Sequence, residues 1–238
     1  MTIKGAALLA AALACSSCGL ESYRYLFAPI ELGSSGTTLI VKHNTSNKDS
    51  SDFLGYQFYY KIYCNNDSST IPAAASTDAA TIESNWTDIY PDVVVKRMTD
   101  AGYVTMVSSD DHTSSVVTLA KTEPFLRLDS TELAKAVTAT LDLHSGEWYK
   151  TVDSVVTETF YLRRRAKSGT ASGYLSFSDL EYSSEDCDSS STTGTRFWLR
   201  VYAVAYGIGT DWSPFFSTPT RATSSSFGYD TLYLGTAE

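Results

Sequence analysis

Short runs of alternating hydrophobic and polar residues recur along the chain and predict strands rather than helices. The segment Thr37–His43 (TTLIVKH) places Leu39, Val41 and His43 on one side of an extended chain. Further alternating runs, separated by Gly, Ser, Asp and Pro, follow between residues 103 and 180. Spacing of about a dozen residues between such runs is typical of antiparallel sandwiches, so a mainly β fold is predicted.

Two longer runs carry bulky residues on both sides and predict strands whose two faces are covered. The first is Phe53–Cys64 (FLGYQFYYKIYC), and the second is Arg196–Gly207 (RFWLRVYAVAYG). In the second run Phe197, Leu199 and Val201 share the inward side with two alanines further along.

Helical patterns are confined to a stretch between these two strands. A helix is expected from Thr77 onward, because Thr or Asp can cap its free N–H groups. A second helix is expected with Pro91 in its first turn and its end near Gly102. Its apolar residues at helical spacing are Val94, Val95 and Met98.

The N-terminus has the layout of a bacterial secretory signal. Lys4 supplies a positive charge, and Gly5–Ala14 form an apolar run of ten residues, shorter than the ~20 that a membrane span needs. The small residues and cysteine that follow resemble the lipobox of bacterial lipoproteins, which implies lipid attachment to the first residue of the mature chain. We favour Cys18, with residues 1–17 removed, because cleavage before the alternative, Cys15, leaves a signal below the usual length of about 15 to 30 residues.

Three segments together resemble a fibronectin type III domain, a seven-stranded β-sandwich. Phe53–Tyr63 resembles the family's third strand, 195–219 its sixth and seventh, and Thr38–His43 its second. The chain departs from the family where His43 occupies the core tryptophan position and Phe197 the corner tyrosine position. The matching residues are Leu39, Val41, Gly55, Tyr56, Phe58, Tyr60, Arg200, Val201, Ala203, Val204, Gly207, Ser213 and Pro214.

The resemblance implies an Ig-like or fibronectin type III-like antiparallel sandwich with a long insertion that contains a short helical part. The leader and the residues after it also resemble uncharacterised spirochaete lipoproteins. The expected division of the chain is a signal peptide at 1–17, a tether and first strand at 18–36, a sandwich at 37–222 with its insertion at about 65–194, and a tail or edge strand at 223–238.

The net charge and the cysteines bear on the class of partner and on the compartment of the protein. The formal net charge of -9 argues against nucleic acid, whose binders need clustered Lys and Arg. The one basic cluster, 163–167, is interpreted as a solvated strand end. Once Cys18 is lipidated, Cys64 and Cys187 remain as an even pair in a compartment that permits a disulfide. Two unpaired cysteines are the alternative, because sequence separation does not fix distance.

No motif assembles an active site, a metal site or a cofactor site. His43, His112 and His144 are scattered, and no P-loop, dinucleotide fingerprint or nucleophile elbow is present. The acidic stretches 108–112 and 183–188 lack the alternating ligands of a calcium loop and are interpreted as solvated loops.

Four aromatic residues on the second faces of the two long strands are the candidate binding face. They would share one sheet if the strands are neighbours, as the third and sixth strands are in the family, and could contact a protein or a carbohydrate. The alternative is that the insertion packs over this face and buries it. The four are Tyr59, Tyr63, Trp198 and Tyr202.

These patterns predict a non-catalytic protein that its N-terminal lipid holds on a membrane of the bacterial cell envelope, facing the periplasm or the exterior, and that works by binding or adhesion. A carbohydrate-active or other hydrolytic enzyme is the alternative, with catalytic carboxylates in the insertion. A structural envelope subunit that self-associates through its C-terminal edge strand is a third hypothesis.

Overall fold

Strands dominate the described part of the chain, as the alternating pattern predicts. The computed structural model describes residues 25–35, 37–65, 71–109, 116–118, 124–162, 170–172, 188, 196–224 and 232–236. The strands are β1 Glu31–Ser35, β2 Thr38–Lys42, β3 Phe53–Asn65, β4 Val104–Thr105, β5 Ser108–Ser109, β6 Val116–Thr118, β7 Leu126–Arg127, β8 Val137–Asp142, β9 Glu147–Val152, β10 Val155–Leu162, β11 Thr170–Ser172, β12 Arg196–Ile208, β13 Pro214–Phe216, β14 Thr220–Arg221, β15 Thr223–Ser224 and β16 Leu232–Thr236. The helices are α1 Ala73–Ile82 and α2 Pro91–Asp100, with a 3₁₀ helix at Thr45–Asp49.

Two antiparallel sheets face each other across one core. The first sheet has the order β15-β1-β2-β8-β9-β10-β5, in which only the short β1–β15 pairing is parallel. In the second sheet β12 pairs along its length with β3, and the other edge of β12 pairs with β13, β14 and β16. The core holds Leu39 and Val41 from the first sheet and Leu199 and Val201 from the second. The prediction of a mainly β, antiparallel fold is confirmed.

The alternation of side chains explains why β3 and β12 are covered on both sides. Alternate residues of these strands enter the core between the sheets, and several residues between them enter a second hydrophobic cluster on the outer face: Tyr59, Tyr63, Trp198, Tyr202 and Val204. The helices α1 and α2 supply the cover of that outer face through Ala75, Ile82, Val94 and Met98. The result is three layers: the first sheet, the second sheet and the helices.

The residues expected to form an insertion supply four of the seven strands of the first sheet. β8 pairs with β2, so that Leu141 lies opposite Leu39 and Ala139 opposite Val41. β9 and β10 extend the same sheet, and Trp148 on β9 is 1% exposed and stacks on Phe160 at a centroid distance of 4.2 Å. The segment is therefore integral to the sandwich rather than an appendage.

Helix α1 begins at Ala73, four residues before the predicted start, because Thr77 does not act as a cap. The Thr77 hydroxyl donates to the Ala73 carbonyl oxygen (3.1 Å), a bond made inside a helix. Pro72 precedes the first helical residue, and three consecutive alanines with high helix propensity follow it.

Helix α2 has the bounds that its sequence predicts. Pro91 occupies its first turn, and Val94, Val95 and Met98 are its buried residues. Gly102 follows its end with a φ of +84°. Within the described ranges, neither helix combines the length and hydrophobicity needed to cross a membrane.

Candidate functional site

The four aromatic residues of the predicted binding face are brought together but are buried. In the β3–β12 register Tyr59 lies opposite Tyr202, and Tyr63 lies opposite Trp198. The exposed fraction is 4% for Tyr59, 0% for Tyr63 and Tyr202, and 6% for Trp198. These side chains therefore do not form an exposed binding face. The alternative, burial beneath the insertion, is what the structure shows.

Polar contacts hold helix α1 on this face. The Tyr63 hydroxyl donates to Asp78 Oδ2 (2.7 Å), which also accepts a hydrogen bond from Lys61 Nζ (2.7 Å). Lys61 Nζ donates in addition to the Ala101 carbonyl oxygen (2.6 Å), next to the end of α2. The Lys61 side chain is only 12% exposed, so water solvates its charge poorly. The Asp78 carboxylate compensates that charge.

A second polar group lies at the end of α1. The Tyr202 hydroxyl donates to Glu83 Oε1 (2.7 Å), and Arg221 forms an ion pair with the same carboxylate. Burial raises the pKa of Tyr202 and of Tyr63 well above the usual range, so both phenols stay protonated and donate. These groups fix the helices on the sheet, and their hydrogen-bonding capacity is used within the protein.

His43 is the centre of a buried hydrogen-bonded cluster at the end of β2. Its Nε2 donates to the Leu133 carbonyl oxygen (2.9 Å), and its Nδ1 accepts from the Tyr56 hydroxyl (2.8 Å), an assignment that follows from the partners of the hydroxyl. The Tyr56 oxygen in turn accepts from the Asn44 N–H (2.9 Å) and Asn47 Nδ2 (3.3 Å). Burial lowers the pKa of His43 and favours the neutral ring. His43 is thus a packed structural residue.

The same cluster fixes the first described residues of the chain. Asn47 Oδ1 accepts from the Phe27 N–H (2.8 Å), and Asn47 Nδ2 donates to the Phe27 carbonyl oxygen (2.8 Å). Asn44 Nδ2 donates to the Ala28 carbonyl oxygen (3.1 Å). The buried Asn47 and the half-buried Asn44 therefore dock the N-terminal segment against the 3₁₀ helix.

A third buried pair lies in the first sheet. Lys150 Nζ is 2.8 Å from Glu132 Oε1, and the two side chains are 5% and 9% exposed. Glu158 Oε2 is a more distant partner at 3.4 Å. Glu132 Oε2 also accepts from the Asp129 N–H (3.0 Å), so the pair fastens the segment before β8 to the sheet.

Cys64 is disulfide-bonded in the structure. Its predicted partner, Cys187, lies outside the described residues. The next residue, Asp188, donates its N–H to the Ile62 carbonyl oxygen (2.9 Å) and accepts from the Ile62 N–H at its Oδ2 (2.8 Å). These two hydrogen bonds place Asp188, the residue that follows Cys187 in the sequence, next to the part of β3 that contains Cys64. Cys15, Cys18, His112 and the basic cluster 163–167 also lie outside the described residues.

An exposed tryptophan occupies a tight turn between β12 and β13. The Trp212 N–H donates to the Gly209 carbonyl oxygen (3.0 Å), and the Gly209 N–H donates to the Ser213 carbonyl oxygen (2.9 Å). Asp211 Oδ1 accepts from the Ser213 N–H (3.1 Å) and hydroxyl (2.6 Å). Trp212 has a φ of +63° and is 84% exposed.

This conformation is costly for tryptophan. A residue with a Cβ in the left-handed region is disfavoured by about 1–2 kcal/mol, and glycine is the usual occupant. Because most of the Trp212 ring is in water, burial does not offset that cost. Backbone strain of this kind at an exposed aromatic residue is an indication of function.

The other exposed hydrophobic residues lie mostly at the same end of the sandwich. This end, here called the Trp212 end, is formed by the N-terminal segment 25–30, by the β9–β10 turn with Val155 and Val156, and by the turn 209–213. Of the eight large hydrophobic side chains that are exposed in the described ranges, six are found there. They are Tyr25, Phe27, Ile30, Val155, Val156 and Trp212.

Strand register shows that the three segments share one end. The Ile30 N–H donates to the Lys42 carbonyl oxygen (3.0 Å) at the end of β2. The Ile208 N–H, just before the tryptophan turn, donates to the Asp52 carbonyl oxygen (3.1 Å) at the start of β3. The β9–β10 turn is adjacent to the start of β8, since the Asp153 N–H donates to the Ala136 carbonyl oxygen (3.0 Å). β2 ends, and β3 and β8 begin, at the same end of the two sheets. All three segments therefore lie at that end.

The chain matched no protein-family model, no curated protein and no solved structure. Among the described residues, no three His, Cys, Asp or Glu side chains come together as a metal site.

Sequence reasoning missed Trp212 because the residue lies in a turn, where side-chain alternation carries no information. The sequence did contain one signal. A tryptophan between Asp211 and Ser213, within a short run of turn residues (GTDWSP), belongs to no predicted strand and is therefore expected to be exposed. The positive φ, which makes the position informative, is visible only in the structure.

Proposed function

We propose that this protein is a non-catalytic lipoprotein of the bacterial cell envelope that works by binding and makes its contacts through the Trp212 end. The observation that carries the proposal is Trp212 itself. The ring is 84% exposed on a backbone held at a φ of +63°, which costs stability and is explained if the ring binds a partner.

The non-catalytic part of the proposal is supported by how the described titratable groups are used. Lys61 and Asp78 join a helix to the second sheet, and Lys150 and Glu132 fasten a segment to the first. His43 is buried and bonded on both nitrogens. Each of these groups has a structural role that accounts for its position.

Lipid attachment at Cys18, with Cys15 as the alternative, is supported by the leader and agrees with the disulfide. The apolar run of ten residues ends on small residues and two cysteines, as in exported lipoproteins. A disulfide at Cys64 suits an oxidising compartment outside the cytoplasm. The proposed address is a membrane of the envelope, facing the periplasm or the exterior.

For the fold, we propose a fibronectin type III-like arrangement of β2, β3, β12 and β13. It is supported by the antiparallel pairing of β3 with β12 and of β12 with β13. Tyr56 also has a hydroxyl that bonds the backbone of Asn44, although it lies on the third strand rather than at the family's corner tyrosine.

The experiment is fractionation of cells that express the full chain, together with Cys18→Ser, Cys15→Ser and the double variant. The proposal expects the wild-type chain to lie in the membrane fraction and to carry label when the cells are fed a radioactive fatty acid, and the Cys18→Ser chain to carry no label. Protease added to intact cells then tells whether the domain faces the exterior. A wild-type chain that takes up no label, or labelling that persists in the double variant, would refute the lipid attachment.

A further inference from the structure

The Trp212 end lies close to the proposed lipid attachment point. Six residues, Gly19–Arg24, separate Cys18 from Tyr25. At no more than 3.3–3.6 Å per residue, the chain places Tyr25 within roughly 25 Å of a lipidated Cys18. Tyr25 is 65% exposed and belongs to the segment that Asn44 and Asn47 hold at this end. The part of the domain nearest to the bilayer is therefore the Trp212 end.

The chemistry of this end matches the boundary between lipid headgroups and acyl chains. Tryptophan and tyrosine are enriched at that boundary, because their rings are apolar while their N–H or O–H groups remain hydrated. Trp212 and Tyr25 are exposed here together with aliphatic Ile30 (66%) and Val155 (64%). A surface that carries both types of side chain suits the boundary, where apolar groups meet the acyl chains while neighbouring charged groups stay hydrated among the headgroups.

These exposed residues are spread over a broad surface. Such a surface suits contact with a bilayer better than the binding of one protein segment in a pocket. The exposed side chains come from three separate parts of the chain, and β1 and β10 belong to one sheet whereas the tryptophan turn belongs to the other. A bilayer is extended and deformable, so it can contact all three parts at once.

Charge argues for binding through apolar contacts rather than through attraction to anionic lipids. The exposed charged residues of this end include Asp49, Asp153 and Asp211 beside Lys48 and Lys135, and the whole chain has a net charge of -9. A basic patch of the kind that recruits proteins to anionic membranes is not formed by these residues. Binding is therefore expected on zwitterionic lipid and is expected to depend little on salt.

We propose that the partner of the Trp212 end is the lipid–water interface of a bilayer, into which Trp212, Tyr25, Ile30 and Val155 insert. The inference deepens the proposed function, because the lipid on Cys18 sets which membrane the end meets. The inserted side chains then hold the folded domain against that membrane in one orientation, instead of leaving it to move freely on its tether.

The test uses the mature chain with Cys18→Ser, which lacks lipid, and vesicles of phosphatidylcholine alone. Trp212 is the highly exposed tryptophan, whereas Trp148 and Trp198 are buried and Trp86 is partly buried, so emission should shift to shorter wavelength when vesicles are added, and the shift should be lost in Trp212→Gly. Co-sedimentation gives the partition coefficient without relying on fluorescence. We expect Trp212→Gly to weaken partitioning at least about tenfold, and Trp212→Phe to retain most of it, since an aromatic ring still enters the interface.

Ile30→Ser and Val155→Ser test whether separate parts of the chain contact the bilayer. Each is expected to weaken partitioning severalfold while thermal unfolding is unchanged, because these side chains are exposed. Sedimentation that is absent, or equal for the wild-type and Trp212→Gly chains, would overturn the proposal. A Trp212-dependent protein contact found without vesicle binding would also overturn it.

The lipid attachment is tested separately. Vesicle binding by the lipid-free chain is independent of acylation, so it can hold even if the mature protein from cells has no acyl group. In that case the lipid attachment fails and the lipid-binding surface stands. If the chain from cells is acylated but its lipid-free form does not bind vesicles, the lipid attachment stands and the lipid-binding surface fails.

Discussion

Replacing Trp212 by glycine is expected to change the stability of the fold little, although a large exposed aromatic side chain is removed. Glycine has no Cβ, so it adopts the left-handed conformation at position 212 without the steric cost of about 1–2 kcal/mol that tryptophan has there. The added flexibility of glycine in the unfolded chain costs about 0.5–1 kcal/mol. With the ring 84% exposed, the lost burial is small, about 0.5 kcal/mol. The free energy of unfolding should therefore change by between about -0.5 and +1 kcal/mol.

Urea denaturation followed by far-UV circular dichroism measures this change without relying on the tryptophan that is removed. A gain of 1 kcal/mol corresponds to a rise in Tm of about 2–4 °C for a domain of this size. The m-value should stay constant, because the surface exposed on unfolding is nearly the same.

Trp212→Ala is the matched control for the backbone. It removes the ring but keeps a Cβ at a φ of +63°, so it should be about 1 kcal/mol less stable than Trp212→Gly. A loss of more than about 1 kcal/mol in the glycine variant would show that Trp212 stabilises the fold. The position of the ring would then be explained by its contribution to stability, without a binding partner.

Three further predictions concern the sandwich. Gly55→Ala should destabilise it by at least about 2 kcal/mol in urea titrations, because Gly55 has a φ of +148° and an added Cβ would lie 2.1 Å from the Leu126 carbonyl oxygen; wild-type stability would contradict this. Burial lowers the pKa of His43, so the unfolded chain binds this proton more tightly, and unfolding free energy should fall as the pH drops below about 6.5. His43→Gln should make that slope shallower between pH 7.5 and 5.5, and an unchanged slope would assign it to other groups. Cys64→Ser and Cys187→Ser should each lower stability by about 2–5 kcal/mol, with the double variant no less stable than either; additive losses would show that the two cysteines do not pair.

Much of the fold could be predicted because the burial of the two long strands is visible in their side-chain alternation. Alternation in β3 assigns Phe58 to one side and Tyr59 to the other, and the structure places them in the two separate clusters. Pro91 and Gly102 likewise mark both ends of α2. These are local signals, carried by side-chain period and backbone preference.

Features that depend on distant contacts could not be predicted in the same way. The pairing of β8 with β2, which makes the supposed insertion part of the sandwich, joins Leu39 to Leu141 across about a hundred residues of sequence. The burial of Tyr63 and Tyr202 depends on α1 and α2 packing over β3 and β12, so a bulky aromatic stripe is equally consistent with an exposed face and a covered one. Trp212 became informative only once its φ and its exposure were known.

We expect a lipid on Cys18 to keep the Trp212 end at a membrane, and the intact mass of the mature chain isolated from cell membranes measures whether that lipid is present. We predict a protein that begins at Cys18 and is heavier than its sequence by a diacylglyceryl group and any further acyl chain. A mature chain that begins at neither Cys18 nor Cys15, or that has the unmodified sequence mass, would refute the lipid attachment.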